Sequence, residues 1–98
     1  MTFRQIIEFS TSRIDEFNAY FDDWITASEG DLIPHRAVLQ ADRDAENVYL
    51  LTVEFSSHEQ AMENSVRPRT EEFARFLGAI CDGNLTFRNL DVVREDDL

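Results

Sequence analysis

The amino-acid sequence predicts an α+β domain in which one four-stranded antiparallel sheet carries its helices on a single face. Four short segments have alternating or continuous apolar residues, longer segments between them have apolar residues at helical spacing, and the order is β-α-β-β-α-β. That order is typical of the split βαβ, or ferredoxin-like, arrangement. The length of 98 residues fits a single domain over 1–98, with a frayed acidic tail at 94–98.

The first strand and first helix have clear patterns. Residues Phe3–Phe9 alternate in polarity, as expected for a strand with one covered face. Ser12 and Asp15 have the spacing of a capping box, in which the serine hydroxyl would accept a hydrogen bond from the helix. The apolar residues that follow, as far as Ile25, predict an amphipathic helix that ends near Glu29-Gly30.

The rest of the chain is arranged around the third strand, Val48–Phe55. The second strand is predicted at His35–Gln40, at least half buried, and the polar residues Ala41–Asn47 form the hairpin loop. Odd-numbered residues of the third strand, beginning at Tyr49, form an apolar face that we expect to pack on the helices. Its even-numbered residues, ending at Glu54, are more mixed.

The second helical region is interrupted by a proline. Ser57–Gln60 has capping-box spacing, and the helix that it begins cannot continue through Pro68, which lacks a donor but can open a new helix. Thr70–Cys81 is therefore predicted as a further helix, ended by Gly83. The fourth strand follows at Leu85–Val93.

The amino-acid composition narrows the classes of molecule that the chain is expected to bind. The net charge of −11 disfavours nucleic acid and anionic membranes, and no apolar run is long enough to cross a bilayer. The single cysteine, Cys81, is expected to be a small core residue and fits a cytoplasmic location. His35 and His58 lie too far apart for a metal motif, so no metal is expected.

The sheet face without helices needs cover, which predicts a homodimer that pairs sheet against sheet.

A family resemblance rests on residues spread over nearly the whole chain. These residues are Ile14, Phe17 and Trp24, Glu29-Gly30, and the run Glu54–Met62. In layout and hydrophobic pattern they resemble the antibiotic biosynthesis monooxygenase-like proteins, a group of dimeric α/β barrels. The run Ala61–Ser65 with Pro68, Thr70 and Cys81–Gly83 resembles a branch of small actinobacterial members. The resemblance implies oxygenation of polyketide-type phenols without metal or flavin.

The haem-degrading relatives of that group are a poor match. They use an asparagine in the first strand, a tryptophan at the end of the third strand and a histidine ligand in the second helix. The corresponding positions here are Gln5, Phe55, and Asn64 or Ser65. Neither Asn64 nor Ser65 is a suitable haem ligand, so no cofactor is expected.

The candidate site is a pocket between the helices and the sheet. The resemblance implies a base and positioning groups. We assign the role of base to His35, with His58 as a weaker base, and positioning roles to Trp24, Asn64 and Arg36. Further predicted pocket residues are Phe21, Arg36, Tyr49, Phe55, Ser65, Phe73 and Phe76.

Plainer interpretations stand beside these assignments. The aromatic residues can be ordinary core, Asn64-Ser65 can cap the new helix, and His35-Arg36 can be an exposed pair among acids. The leading functional hypothesis is therefore a small dimeric oxygenase for a hydrophobic aromatic or polyketide-like compound. The alternative is a non-catalytic dimeric module that binds an apolar ligand or a protein, and a third option is an isomerase or cyclase of the same fold class.

Overall fold

The computed structural model describes residues 1–98 as four strands and three helices. In chain order these are β1 (Phe3–Ser10), α1 (Ile14–Ala27), β2 (Arg36–Ala41), β3 (Val48–Phe55), α2 (His58–Ser65), α3 (Pro68–Ile80) and β4 (Thr86–Asp91). No helix has the length and apolarity that crossing a bilayer requires.

The sheet has the strand order β2-β3-β1-β4, and every neighbouring pair is antiparallel. The two strands that flank α1 in sequence, β1 and β2, are therefore separated by β3, which is the ferredoxin-like arrangement. The predicted fold class is confirmed. Pro68 occupies the first turn of α3, so the second helical region is two helices, as the proline predicted.

The helices pack on the sheet face that carries the odd-numbered residues of β1 and β3. On this face Ile7 lies opposite Leu51 and Phe9 lies opposite Tyr49. The main buried cluster joins this face to α1 and α3, and its members are Ile7, Phe9, Phe17, Leu51, Leu77 and Ile80. A smaller cluster of Phe3, Phe55 and Ala61 attaches α2 to the other end of the sheet.

One predicted helix cap is confirmed and the other is wrong. Ser57 caps α2, because its Oγ accepts a hydrogen bond from the Gln60 backbone N–H at 3.2 Å. Ser12 does not cap α1. Instead Thr11, which is 0% exposed, accepts from the Arg13 backbone N–H at 3.0 Å and donates to the Ile80 carbonyl at 2.6 Å. The second of these bonds ties the end of β1 to the end of α3. The N-cap residue of α1 is Arg13, and no side chain makes a cap hydrogen bond to this helix.

The two edge strands of the sheet are largely exposed. The sequence predicts a second strand that is at least half buried, but all of β2 except Leu39 is exposed. β4 is exposed throughout. The reason is that the helices of one chain cover mainly the central strands. Only 11 of the 98 residues are buried, so a single chain leaves much of its apolar surface open.

Candidate functional site

A cavity of about 240 Å³ lies between the odd-numbered face of the sheet and the helices. Of its 20 lining residues 14 are hydrophobic, which suits an apolar ligand held by a few polar groups. The volume lies just below the roughly 300–1,000 Å³ typical of small-molecule sites. The cavity therefore suits a small, compact ligand.

The cavity has an aliphatic floor and an aromatic roof. Ile7, Leu51 and Val53 form the floor on β1 and β3, and their alternation along each strand brings them to one face. The rings of the roof come from α1 and α3. Phe21 stacks on Trp24 with ring centroids 5.7 Å apart and meets Phe73 edge-on at 5.7 Å. Such a roof favours contact with a flat aromatic molecule.

Polar groups line the cavity at a few points. The half-buried indole of Trp24 donates its Nε1–H to the Arg69 carbonyl at 3.3 Å, so a backbone acceptor satisfies it. Asn64, near the end of α2, and Thr70, in the first turn of α3, also line the cavity. Neither side chain has a hydrogen-bond partner within the protein, so both are available to a ligand.

His35 belongs to a hydrogen-bond network centred on Glu54. The Nε2 of His35 lies 2.7 Å from Glu54 Oε1, and Arg4 Nε lies 2.7 Å from Glu54 Oε2. The hydrogen bonds from His35 and then from Arg4 lower the pKa of the Glu54 carboxyl below its ordinary value of 4.5. An ionised Glu54 accepts only, so Nε2 of His35 donates to it, and in a neutral ring Nδ1 is the nitrogen without a proton.

The structure brings together most, but not all, of the predicted site residues. The ones that line the cavity are Phe21, Trp24, His35, Arg36, Phe55, Asn64 and Phe73. The backbone of Arg36 pairs with Glu54, and strand alternation sends their side chains to the open face of the sheet. Arg36 therefore contributes mainly backbone to the cavity wall.

Three predicted pocket residues lie elsewhere. Tyr49 stacks on Phe9 at 5.9 Å, at the far end of the sheet. Phe76 stacks on Tyr20 at 3.9 Å, between α1 and α3. The Ser65 hydroxyl donates to the Met62 carbonyl at 2.7 Å, within its own helix.

Several lining residues were not predicted. The segment between α1 and β2 contributes Leu32 and Pro34, the residue before β4 is Leu85, and β4 itself contributes Phe87. No local pattern marks such positions. Gln5 is different, because it interrupts the otherwise apolar odd-numbered stripe of β1 and thereby carried a readable signal.

The segment after α1 is fastened to the junction of α2 and α3. Arg67 donates from Nη1 to the Asp31 carbonyl at 2.6 Å, and its Nη2 lies 2.6 Å from Asp31 Oδ1. This bidentate contact holds Leu32 and Pro34 against the cavity. No three His, Cys, Asp or Glu side chains are arranged to hold a metal ion.

The fold is shared with solved structures at low sequence identity. SnoaB from Streptomyces nogalater, a cofactor-independent oxygenase, superposes with a TM-score of 0.77 at 16% identity, covering 96% of this chain and 95% of SnoaB. Rv0793 from Mycobacterium tuberculosis superposes with a TM-score of 0.76 at 15% identity, covering 99% of this chain and 100% of Rv0793. A protein of Caulobacter crescentus, proposed to be an antibiotic biosynthesis monooxygenase, superposes with a TM-score of 0.78 at 14% identity. The superposition covers 95% of this chain and 91% of that protein. Neither a family model nor a curated protein matches the chain.

Proposed function

We propose that this chain is a cofactor-independent, monooxygenase-like enzyme of the antibiotic biosynthesis monooxygenase type. Its substrate would be a small hydrophobic aromatic or polyketide-like compound. The observation that carries the proposal is the cavity, with its aromatic roof, aliphatic floor and few polar groups. The whole-chain similarity in fold to SnoaB supports the same reaction class.

The proposed reaction oxidises an acidic CH₂ group of the substrate to a carbonyl. A base removes one C–H proton, and the carbanion reduces dioxygen and forms a C–O bond, giving a peroxide anion that is then protonated. The hydroperoxide loses its remaining C–H proton and expels hydroxide, so one oxygen stays as the carbonyl and the other leaves as water. The substrate carbon supplies all the electrons, so the balance needs no external reductant.

The residues of this chain would bind the substrate, exclude water and remove the proton. The roof and floor hold the flat substrate away from solvent, where a carbanion is protected from side reactions. The proposed base is Nδ1 of His35. Glu54, whose Oε1 lies 2.7 Å from Nε2 of the same ring, would keep the ring proton on Nε2. Asn64 would hold an oxygen of the substrate, and Trp24 would position its ring.

Oxygen consumption with anthrone tests this function. Wild-type protein should consume dioxygen and form anthraquinone, and the His35→Ala variant should lose about 100-fold or more in kcat, as expected for a missing general base. His58→Ala is the matched control, because His58 packs edge-on to Phe3 at 5.2 Å and does not line the cavity. Full activity of His35→Ala, with loss in His58→Ala, would reverse the assignment of the base.

The second candidate is a non-catalytic dimer that binds an apolar ligand or a protein partner. It is favoured by the position of the His35 ring, which pairs with Glu54 of the open sheet face. Ligand binding to the wild type without oxygen consumption across a set of phenolic and anthrone-type compounds would favour this candidate over the enzyme.

We also propose that the chain is a cytoplasmic homodimer. The helix-free face of its sheet would form the contact between copies. The support is the amount of apolar surface that one chain leaves open, including Val38 and Leu90 on that face.

A further inference from the structure

The carboxylate of Glu54 is held from two sides. Its Oε2 accepts a hydrogen bond from Nε of Arg4 on β1 at 2.7 Å, and its Oε1 lies 2.7 Å from Nε2 of His35, just before β2. Arg4 lies directly across from Glu54 in the register of β1 and β3, so the two central strands set this contact. Each carboxylate oxygen has one of these partners, and the contact with Arg4 decides which oxygen is left for His35.

Arg4 also balances the charge of this carboxylate. The side chains of Glu54 and Arg4 are 16% and 33% exposed, so solvent screens their attraction only in part. The hydrogen bond to Glu54 raises the pKa of Arg4, which therefore stays charged. A lone carboxylate beside His35 would stabilise the protonated ring, and a protonated ring cannot remove a proton. The positive charge of Arg4 offsets this effect.

Few other charges reach the same group. Among the residues that line the cavity, only His35 and Arg36 have ionisable side chains, so none of the three helices sends a charge to it. Arg36 lies across from Glu54 in the register of β2 and β3, but it is exposed and forms no ion pair. In the tail, the 65% exposed Glu95 lies 3.1 Å from Nη2 of Arg4, and an ion pair at such a position is weak.

We propose that Arg4 is a positioning residue that acts through Glu54. It fixes the carboxylate on Nε2 of His35 and offsets the negative charge that the ring meets, so that the ring stays available as a base. This inference rests on the proposed function for the role of His35, and it adds a residue on another strand that tunes this role. Arg4 does not line the cavity, so it acts only through the other two groups.

The two histidines of the chain make the proposal measurable without a substrate. An NMR titration gives, for each ring, the pH at which half of the molecules are protonated, and His58→Ala assigns the signals. Arg4→Gln removes the charge but keeps an N–H donor for Glu54. The midpoint for His35 should then rise by about 0.5–1 pH unit, as expected for the loss of one nearby positive charge. His58 packs on Phe3 and forms no ion pair, so its midpoint should not move.

Two further variants separate the charge of Arg4 from other effects. Arg4→Lys keeps the charge and should return the His35 midpoint towards that of the wild type. Arg88→Gln is the matched control, because Arg88 lies on the same sheet face, opposite Ile6 of β1, and forms no ion pair. It should leave the His35 midpoint unchanged. In the oxygen-consumption assay, the acidic side of the pH profile of kcat/KM should move in Arg4→Gln by the same amount as the midpoint.

The outcomes distinguish this inference from the proposed function. If the His35 midpoint is the same in folded Arg4→Gln and in the wild type, or moves equally in Arg88→Gln, the inference is overturned and the proposed function is untouched. If the midpoint rises only in Arg4→Gln but the pH profile does not follow it, Arg4 acts on His35 as proposed and His35 is not the base. Thermal denaturation of each variant shows whether it is folded.

Discussion

At the scale of single residues, the most constrained charge is the carboxylate of Glu54. Its side chain is 16% exposed and its two oxygens face different partners, Nε2 of His35 and Nε of Arg4. These hydrogen bonds stabilise the charged form, so the pKa of Glu54 in the folded chain lies below the ordinary 4.5. A lowered pKa means that the folded state is stabilised while Glu54 is ionised in both states, and that this stabilisation disappears in acid.

We expect Glu54→Gln to lower the free energy of unfolding at neutral pH. The pH is then lowered below the pKa of about 4.5 that Glu54 has in the unfolded chain and through its lower pKa in the folded chain. Over this range the free energy of unfolding of the wild type should fall towards that of Glu54→Gln. Urea unfolding over a pH series measures this. Glu63→Gln is the control, because Glu63 is exposed and forms no ion pair. Its free energy of unfolding should depend on pH as that of the wild type does. A constant difference between Glu54→Gln and wild type at all pH values would contradict the argument.

At the scale of elements, the helix starts show how local pattern and tertiary contact compete. Ser12 and Ser57 both stand three residues before a residue suited to a capping box, yet only Ser57 caps its helix. At α1 the N-cap residue is Arg13, and no side chain makes a cap hydrogen bond. The nearby Thr11 hydroxyl instead joins the Arg13 backbone N–H to the Ile80 carbonyl, a contact with a distant element that the capping-box spacing does not describe.

This difference predicts unequal effects of the same substitution at the two serines. Ser57→Ala should destabilise the protein by about 0.5–2 kcal/mol, because it removes the acceptor for the Gln60 backbone N–H. Ser12→Ala is the matched control and should change stability little, since Ser12 is exposed and makes no cap hydrogen bond. Chemical denaturation measures both, and equal losses would argue that Ser12 caps α1 in solution.

At the scale of the whole molecule, the main feature is the imbalance between the two faces of the sheet. The helices cover the odd-numbered face, while the other face exposes apolar residues between charged ones, including Val38 and Leu90. A second copy of the chain would cover this face by the same residues on both sides of a two-fold axis. We therefore expect a dimer in solution.

Sedimentation at micromolar concentration tests this expectation. The wild type should be dimeric, and Val38→Glu should be monomeric, because it places a charge on the open face, on the edge strand β2 beside Thr52. Val66→Glu is the control: Val66 is 81% exposed at the junction of α2 and α3, away from the sheet, and its replacement should leave the dimer intact. A monomeric wild type would contradict the proposed interface.

Most of the fold follows from local chemistry that a sequence displays directly. Strand alternation, helical spacing and the helix-starting Pro68 are set by neighbours within a few residues, so the elements and the fold class were predictable. The same local logic grouped Trp24, Phe21, Phe73 and Phe76 as apolar cover for the sheet. The structure places the first three on the cavity and Phe76 against Tyr20.

The tertiary structure alone decided which partners these residues meet. Tyr49 shares its strand face with Val53, yet it lies at the far end of the sheet and misses the cavity, because the helices leave a space over only one part of the floor. His35 was assigned from its position in the sequence, but its pairing with Glu54 depends on the register between β2 and β3. The sequence by itself therefore determined the elements and their apolar faces. The cavity, the ion pairs and the hydrogen bond between Gln5 and Asn89 arise from contacts between residues far apart in the chain, which no local pattern contains.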